Sequence, residues 1–244
     1  MKKTISVWTM GIFILFGILC QPGLSQDAKD IIDKSIEAQG GKQVLEKVVD
    51  STYIGDMEMI QFGMSGGVTR YQKEPDKMRM DIEIMGTIIT TAFDGETAWM
   101  TNPQTGTTEE MPENYTADIK RGSLGVDAIL NPEKYGITYN YKGKETIEGV
   151  EYHIIEQTFE DGEKITLFIN GKTYLPYKSI MNTIDQTGRE VEEETIMSDY
   201  REIEGMMVPY SLVIYQDGEE FVSMTITEVK INTGLEDTLF QMDK

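Results

Sequence analysis

The sequence predicts a mainly β protein of the α+β type, built on one large antiparallel sheet with few helices. Turn dipeptides recur about every ten residues over 53–231, and the stretches between them alternate apolar and charged side chains. Residues 77–84 show this best, because Met78, Met80, Ile82 and Ile84 alternate with charged residues. The apolar face of such a sheet has little helix to cover it, so the sheet must either close on itself or keep an apolar cavity.

The first 25 residues have the features of a secretory signal peptide. Lys2 and Lys3 precede an apolar run over 12–19, and Gly23-Leu24-Ser25 places small residues where signal peptidase needs them. No later segment approaches the roughly 20 apolar residues of a membrane-spanning helix. We therefore predict a mature chain of residues 26–244 that forms one domain without a transmembrane span.

Cys20 leaves a second interpretation of the amino terminus open. A cysteine at the end of an apolar run can be the lipid-modified first residue of a lipoprotein. The preceding residue in such proteins is small, whereas Leu19 is large, so loss of Cys20 with the signal peptide is favoured. The mature chain would then lack cysteine, and burial of a core would have to stabilise it without disulfides.

The chain is strongly acidic, with a formal net charge of −20 at pH 7. Removing residues 1–25 removes two lysines and no acidic residue, so −20 minus 2 gives −22. This charge repels phosphate backbones and anionic lipid headgroups. Nucleic acid is therefore excluded as an expected partner, and the charge favours a soluble monomer.

Helical spacing occurs first just after the signal peptide. Asp27 is the expected N-cap of a helix over 27–39, which Gly40 and Gly41 end and which we expect to cover the sheet. Two series of strands follow. The first lies near 53–62, 67–73, 77–85, 87–93 and 96–101, and the second near 136–146, 150–159, 163–170, 174–184, 189–201, 206–215 and 219–231.

A central helical segment, residues 113–131, separates the two series. Gly122 and Gly125 interrupt it and predict two short helices with a joint. Two roles are open: a crossover that plugs the sheet, or a lid that lifts from an apolar cavity. The candidate lid residues share one stripe of the segment: Ile119, Val126, Ile129 and Leu130.

Residues that could carry catalysis or hold a metal are scarce. Gly63-Met64-Ser65-Gly66-Gly67 matches the nucleophile-elbow pattern, but the extended alternation after it makes Ser65 a hairpin residue. His153 is the only histidine, so neither a base for Ser65 nor a zinc site is expected. The acidic run 190–194 is interpreted as a solvated strand. We predict no catalytic residue, no metal and no cofactor.

Methionine is unusually frequent in the predicted strands. A flexible, polarizable thioether conforms to flexible apolar guests, although methionines also fill gaps in an ordinary core. Two helical segments cannot cover so wide a dry face, which favours a cavity. The candidate ligand-binding residues are Met57, Met59, Met78, Met80, Ile82, Ile84 and Met224.

Several local strings resemble the LolA/LolB-like superfamily of outer-membrane lipoprotein-sorting proteins. The most specific of them runs from Asp199 to Pro209, and together they span the mature chain. They are Gly40-Gly41, Phe93-Asp94-Gly95 with Trp99, Pro103 to Gly106, Ser198 to Pro209, Asn232 to Leu235, and Leu239-Phe240.

The resemblance implies an unclosed, strongly curved antiparallel half-barrel with a helical lid over a cavity for acyl chains. It implies a non-catalytic periplasmic carrier whose partners are lipoprotein acyl chains or another lipid. It also implies a strand arginine that holds the lid closed, for which Arg70 and Arg79 are the candidates. The alternative function is an envelope structural or assembly protein with a filled core and a protein partner.

Overall fold

The computed structural model describes residues 24–102, 105–185 and 188–242. Nearly all of the predicted signal peptide, including Cys20, lies outside these residues, as do parts of the expected turns at 103–106 and 187–188. The described chain forms a single 13-stranded antiparallel sheet that is not closed into a barrel. The predicted fold class is therefore confirmed.

The strands form two meanders that meet in the middle of the sheet. Strand β1 pairs with both β2 and β13, whereas β6 and β7 lie at the two ends. The strands are β1 (Asp50–Met59), β2 (Met64–Lys73), β3 (Lys77–Ile84), β4 (Thr87–Phe93), β5 (Ala98–Thr101), β6 (Thr108–Glu110), β7 (Thr138–Ile147), β8 (Val150–Thr158), β9 (Lys164–Asn170), β10 (Pro176–Ile184), β11 (Glu190–Ile203), β12 (Met206–Gln216) and β13 (Glu219–Ile231).

Tight turns and bulges give the sheet its connections and its shape. Asp217 and Gly218 join β12 to β13 with positive φ at both residues, the hairpin geometry that matches the twist of the strands. Register shifts interrupt β13 opposite Ile54/Gly55, and also the β7–β8, β9–β10 and β12–β13 pairs. Such bulges increase local twist and allow a long sheet to curve.

The helices pack on one face of the sheet, which we call the inner face. They are α1 (Leu24–Ala38), α2 (Lys42–Leu45), α3 (Glu113–Gly122) and α4 (Val126–Leu130). Ile31 and Ile32 of α1 pack against Ile155 and Ile169. Residues Leu45 and Val48 pack against a second cluster formed by Met206, Val208, Tyr210 and Ile226, which Val126 and Leu130 also contact.

The amino-terminal helix differs slightly from its prediction. Its described part begins at Leu24, so Asp27 lies in the first turn rather than at the N-cap. Gly40 and Gly41 follow its end, as predicted, and both have positive φ. The backbone N–H of Met207 donates to the carbonyl of Gln39 at 3.1 Å, which ties the end of the helix to β12.

The opposite, outer face is only partly solvated, although the alternation over 77–84 predicts a fully charged and solvated face there. A 3-10 turn at Asp237–Phe240 lies over β3 to β5, where Trp99 Nε1 donates to the Phe240 carbonyl at 2.7 Å. Trp99, Ala92 and Phe240 are buried there. The apolar alternation of β3 alone could not show that a distant carboxyl-terminal segment covers its charged side.

Asp50 joins the start of β1 to this carboxyl-terminal segment. Its carboxylate accepts hydrogen bonds from the backbone N–H groups of Thr233, Gly234 and Leu235 at 2.8, 2.9 and 3.2 Å. Burial raises the pKa of Asp50, but these donors outweigh burial and the net shift is downward. The side chain is 2% exposed, so loss of its charge would leave buried donors poorly paired.

We expect Asp50→Asn to lower the free energy of unfolding at pH 7 by about 2 kcal/mol, because an amide accepts these N–H groups less strongly. The depressed pKa stabilises the fold above the ordinary value of 3.8 and the benefit disappears as pH falls through the lower folded value. Urea unfolding should therefore show a smaller difference between the two proteins at acid pH. Asp56→Asn, on the exposed side of the same strand, is the control; an equal effect of both substitutions would contradict the assignment.

Candidate functional site

The seven candidate cavity residues all lie on the inner face. Cross-strand register places Met57 opposite Met224, and it aligns Met80 with Arg70 and Ile82 with Val68. Met57 and Met78 are only 5% and 3% exposed and belong to the packed core. The other five are half-buried, so this part of the inner face is not fully sealed: Met59, Met80, Ile82, Ile84 and Met224.

The lid segment, residues 113–131, contains the two predicted helices, α3 and α4. Val126 and Leu130 pack against the inner-face cluster around Met206, and Ile119 is half-buried. Ile129 is 39% exposed and is not part of that packing. The structure thus divides the segment into a packed part, α4, and a part that spans the inner face, α3.

Arg70 fastens the carboxyl-terminal end of α3. It lies on the inner face of β2, where its Nη2 donates to the Gly122 carbonyl at 2.8 Å and to Gln72 Oε1 at 3.1 Å. Gln72 Nε2 in turn donates to the Ser123 carbonyl at 2.6 Å. Burial lowers the pKa of Arg70. Two side chains of one strand therefore bind consecutive carbonyls where the helix ends and its carbonyls lack partners.

Arg79 has a different role, because it lies on the outer face. It donates to Asp81 at 2.9 Å and to the Leu239 carbonyl at 3.0 Å, and its guanidinium lies 5.9 Å from the Trp99 ring. It thus holds the carboxyl-terminal turn. Of the two arginine candidates, Arg70 is the one that contacts the lid segment.

Glu74, in the turn between β2 and β3, fastens α4. Its carboxylate accepts hydrogen bonds from the N–H groups of Val126 at 2.8 Å and Asp127 at 3.1 Å. Burial raises its pKa despite these donors. Gly125 permits the contact, since a Cβ there would lie 2.1 Å from Glu74 Oε1.

Side chains of α3 also reach the other half of the sheet. Arg121 pairs with Asp118 on its own helix and with Asp161, in the turn between β8 and β9. Asp118 also contacts Thr183 Oγ1 at 3.4 Å, and Tyr115 OH donates to the Asp185 carbonyl at 3.3 Å. With Arg70 on one side and these contacts on the other, α3 forms a strap between the two meanders.

Two open clefts flank this end of the sheet. One of about 550 Å³ is lined by Phe62, Phe221 and Ile184 together with polar and charged residues. The other, of about 460 Å³, includes Asp118, Arg121 and Asp161. Phe62 is 53% exposed and its ring meets Phe221 edge to face at 6.3 Å. Apolar surface therefore continues from the inner face to solvent at this end.

The two residues considered for catalysis lie apart from the lid. Ser65 is in β2, opposite Glu58 of β1, and a strand rather than a helix follows it. The His153 ring stacks on Tyr174 at 5.8 Å, and its Nδ1 lies 3.4 Å from Tyr141 OH. Burial lowers the pKa of His153. The interpretation of Ser65 as a strand residue rather than a nucleophile elbow agrees with this placement.

Sequence reasoning missed the polar residues that fasten the lid segment, apart from Arg70. Gln72 and Glu74 carry no local signal of their role, because their partners are backbone groups about 50 residues away in sequence. The only hint in the sequence was a polar glutamine at a position where the alternation of β2 places inward-facing side chains.

Three solved structures are similar to this fold over nearly its whole length. They are a DUF1329 family protein from Desulfovibrio piger (17% identity), an outer-membrane lipoprotein-sorting protein domain from Vibrio parahaemolyticus (12%) and a LolA superfamily protein from Nitrosomonas europaea (15%). Each gives a TM-score of 0.59 and covers 88% of this chain and 97% of its own. The chain therefore has a LolA/LolB-like fold. No protein-family profile and no curated protein sequence matches it.

None of the helices in the described ranges is both long and apolar enough to span a bilayer.

We expect Arg70→Met to loosen α3 without unfolding the sheet. Loss of a charged hydrogen bond costs roughly 2 kcal/mol, so amide hydrogen exchange across 113–124 should accelerate at least about tenfold. Arg79→Met is the matched control: it should affect exchange at 237–240 and leave α3 unchanged. Unaltered exchange in α3 of Arg70→Met would show that this arginine does not fasten the lid.

The two glycines of the lid segment should respond oppositely to alanine. Gly122→Ala has open space and should stabilise the end of α3 by up to about 1 kcal/mol. Gly125→Ala should destabilise by about 1–3 kcal/mol, because Glu74 must retreat and release two N–H groups. Urea unfolding of both variants measures this difference, and effects of the same sign would refute the role of Glu74.

Proposed function

We propose that the protein is a non-catalytic periplasmic carrier that holds acyl chains of lipoproteins or other lipids against the inner face, beneath the lid segment. The observation that carries the proposal is the combination of a half-buried apolar inner face with a polar-fastened strap above it. The LolA/LolB-like fold, shared with a lipoprotein-sorting domain, supports it. The signal-peptide pattern supports export.

The chemistry of the inner face suits a hydrocarbon guest. Methionine and isoleucine side chains offer no specific hydrogen bonds, and methionine adapts to flexible chains. Each methylene removed from water contributes about 0.8 kcal/mol, so affinity grows with chain length and needs no enzyme-like site. Such binding is also reversible, because an equally apolar acceptor offers the same free energy.

Entry of a guest requires α3 to move. Polar contacts hold its carboxyl-terminal end, namely Arg70 to Gly122, Gln72 to Ser123, and Arg121 to Asp161. Nearer its start, Tyr115 OH donates to the Asp185 carbonyl and Asp118 accepts from Thr183 Oγ1. Its neighbour α4 is held by apolar packing as well as by Glu74. We infer that α3 is the moving part of the lid segment and that α4 stays with the sheet.

An envelope structural or assembly role remains the second candidate function. The observation that favours it is apolar surface on exposed turns, with Phe62 53% and Met85 92% exposed. Purification from its own cell envelope distinguishes the two. Native mass spectrometry should find lipid and no stoichiometric protein partner if the chain is a carrier, and a partner without lipid if it is a scaffold.

A substitution on the inner face should abolish acyl-chain binding. Met224→Glu places a charge among Met57 and Leu212, which are its cross-strand neighbours, and should weaken uptake of a fluorescent monoacylglycerol by at least about tenfold. Thr225→Glu, on the exposed outer side of the same strand, is the control and should bind normally. Circular dichroism checks that both variants fold. Failure of the unmodified protein to take up the probe would refute the carrier proposal.

A further inference from the structure

A carboxylate, that of Glu193, lies among apolar and neutral side chains where β9 to β12 cross the inner face. Strand register aligns Ile165, Met181, Glu193 and Gln216 in a row across β9 to β12. Two residues further along β11 and β12, Thr195 pairs with Ile214, which packs with the cluster around Met57. Glu193 therefore lies on the same face as the proposed acyl-chain site, near its open end.

Glu193 lacks a cation of the kind that Glu194, the next residue and on the outer face, has. Glu194 pairs with Lys178 Nζ at 2.9 Å. Glu193 receives only a 3.4 Å hydrogen bond from Gln216 Nε2, and among the described residues it forms no ion pair. The charged group of the lid that acts on it is Asp118, which has the same sign. Burial first, and then Asp118, raise the pKa of Glu193.

A half-buried carboxylate without a countercharge is costly, since desolvation is not repaid by an ion pair. A positively charged group on the guest would supply that countercharge. On the lid side, Arg121 is shared between Asp118 and Asp161, so these three groups keep a formal net charge of −1. An anionic headgroup would therefore meet Glu193 and this negative group, as well as the net charge of −20 for the whole chain. The negative electrostatic potential at the open end thus favours guests with a positively charged headgroup over guests with a negatively charged one.

We propose that Glu193 makes the site selective for lipids that carry an amine next to the acyl chain, over lipids with a free carboxylate or phosphate there. This inference rests on the proposed carrier function and specifies its cargo. In the complex, the guest's ammonium group lies between Glu193 on the sheet and Asp118 on α3, while its chain extends along the methionine-lined strands. The same ion pair draws α3 toward the sheet once the guest is bound.

Three single-chain amphiphiles of equal length test the proposal: dodecylamine, dodecanoate and monododecanoylglycerol, each below its micelle concentration. Each competes with the fluorescent monoacylglycerol for the unmodified protein, Glu193→Gln and Glu192→Gln at pH 7. The Glu192 side chain is exposed on the outer side of the same strand, so its substitution changes net charge equally. We expect dodecylamine to bind about tenfold more tightly than dodecanoate in the unmodified protein and in Glu192→Gln.

Glu193→Gln should reduce the ratio of dodecylamine affinity to dodecanoate affinity at least about threefold. The difference in this ratio between Glu193→Gln and Glu192→Gln should persist in 0.5 M salt, since salt screens a contact ion pair less than the long-range field of the net charge. An unchanged ratio in Glu193→Gln would overturn the inference and assign the preference to net charge. Equal binding of all three amphiphiles would also overturn it, while leaving the carrier function intact. If the neutral amphiphile itself does not bind, the carrier proposal fails first.

Discussion

The structure depends on one imbalance: within the described residues, the 13-stranded sheet has more apolar inner surface than the four helices that pack on it cover. Helices α1, α2 and α4 seal one end of that surface, with Ile31 and Ile32 on β8 and β9 and Leu45 on β12. The other end keeps half-buried methionines and isoleucines under a single strap, α3. An ordinary globular domain avoids exposed apolar patches of this kind. The sealed end therefore stabilises the fold, and the unsealed end is the place that the proposed function assigns to the guest.

The two ends are held by different kinds of interaction. At the sealed end, apolar clusters are reinforced by buried polar clamps such as Asp50 with the N–H groups of Thr233 to Leu235. At the open end, α3 has mainly polar contacts, from Arg70, Gln72 and Arg121. Apolar packing is lost only when whole clusters separate, whereas hydrogen bonds at helix ends can exchange with water. Under the proposed function, motion is thus confined to α3, while the sheet and α4 stay fixed.

The sequence predicted what depends on local pattern and missed what depends on long-range pairing. Alternation placed Met78, Met80, Ile82 and Ile84 on one face, and the turn dipeptide located the two-residue turn at Asp217-Gly218. Gly122 and Gly125 marked the joint in the lid segment correctly. Phe240 covers Trp99 from about 140 positions away in the sequence. Gln72 and Glu74 contact the lid segment from about 50 positions away. No periodicity encodes such contacts, so only the register of the folded sheet shows them.

The relative strength of these interactions explains how a guest could open its own site. Each charged hydrogen bond at the end of α3 contributes roughly 1.5–3 kcal/mol, and the described contacts there are few. A chain of about twelve methylenes transferred from water gains close to 10 kcal/mol at 0.8 kcal/mol for each methylene. A gain of that size is enough to release about three such contacts, whereas a short or polar molecule gains too little to do so. Under the proposed function, the strap selects for chain length through its polar contacts, and Glu193 adds selection by headgroup charge at the point where the strap crosses the sheet.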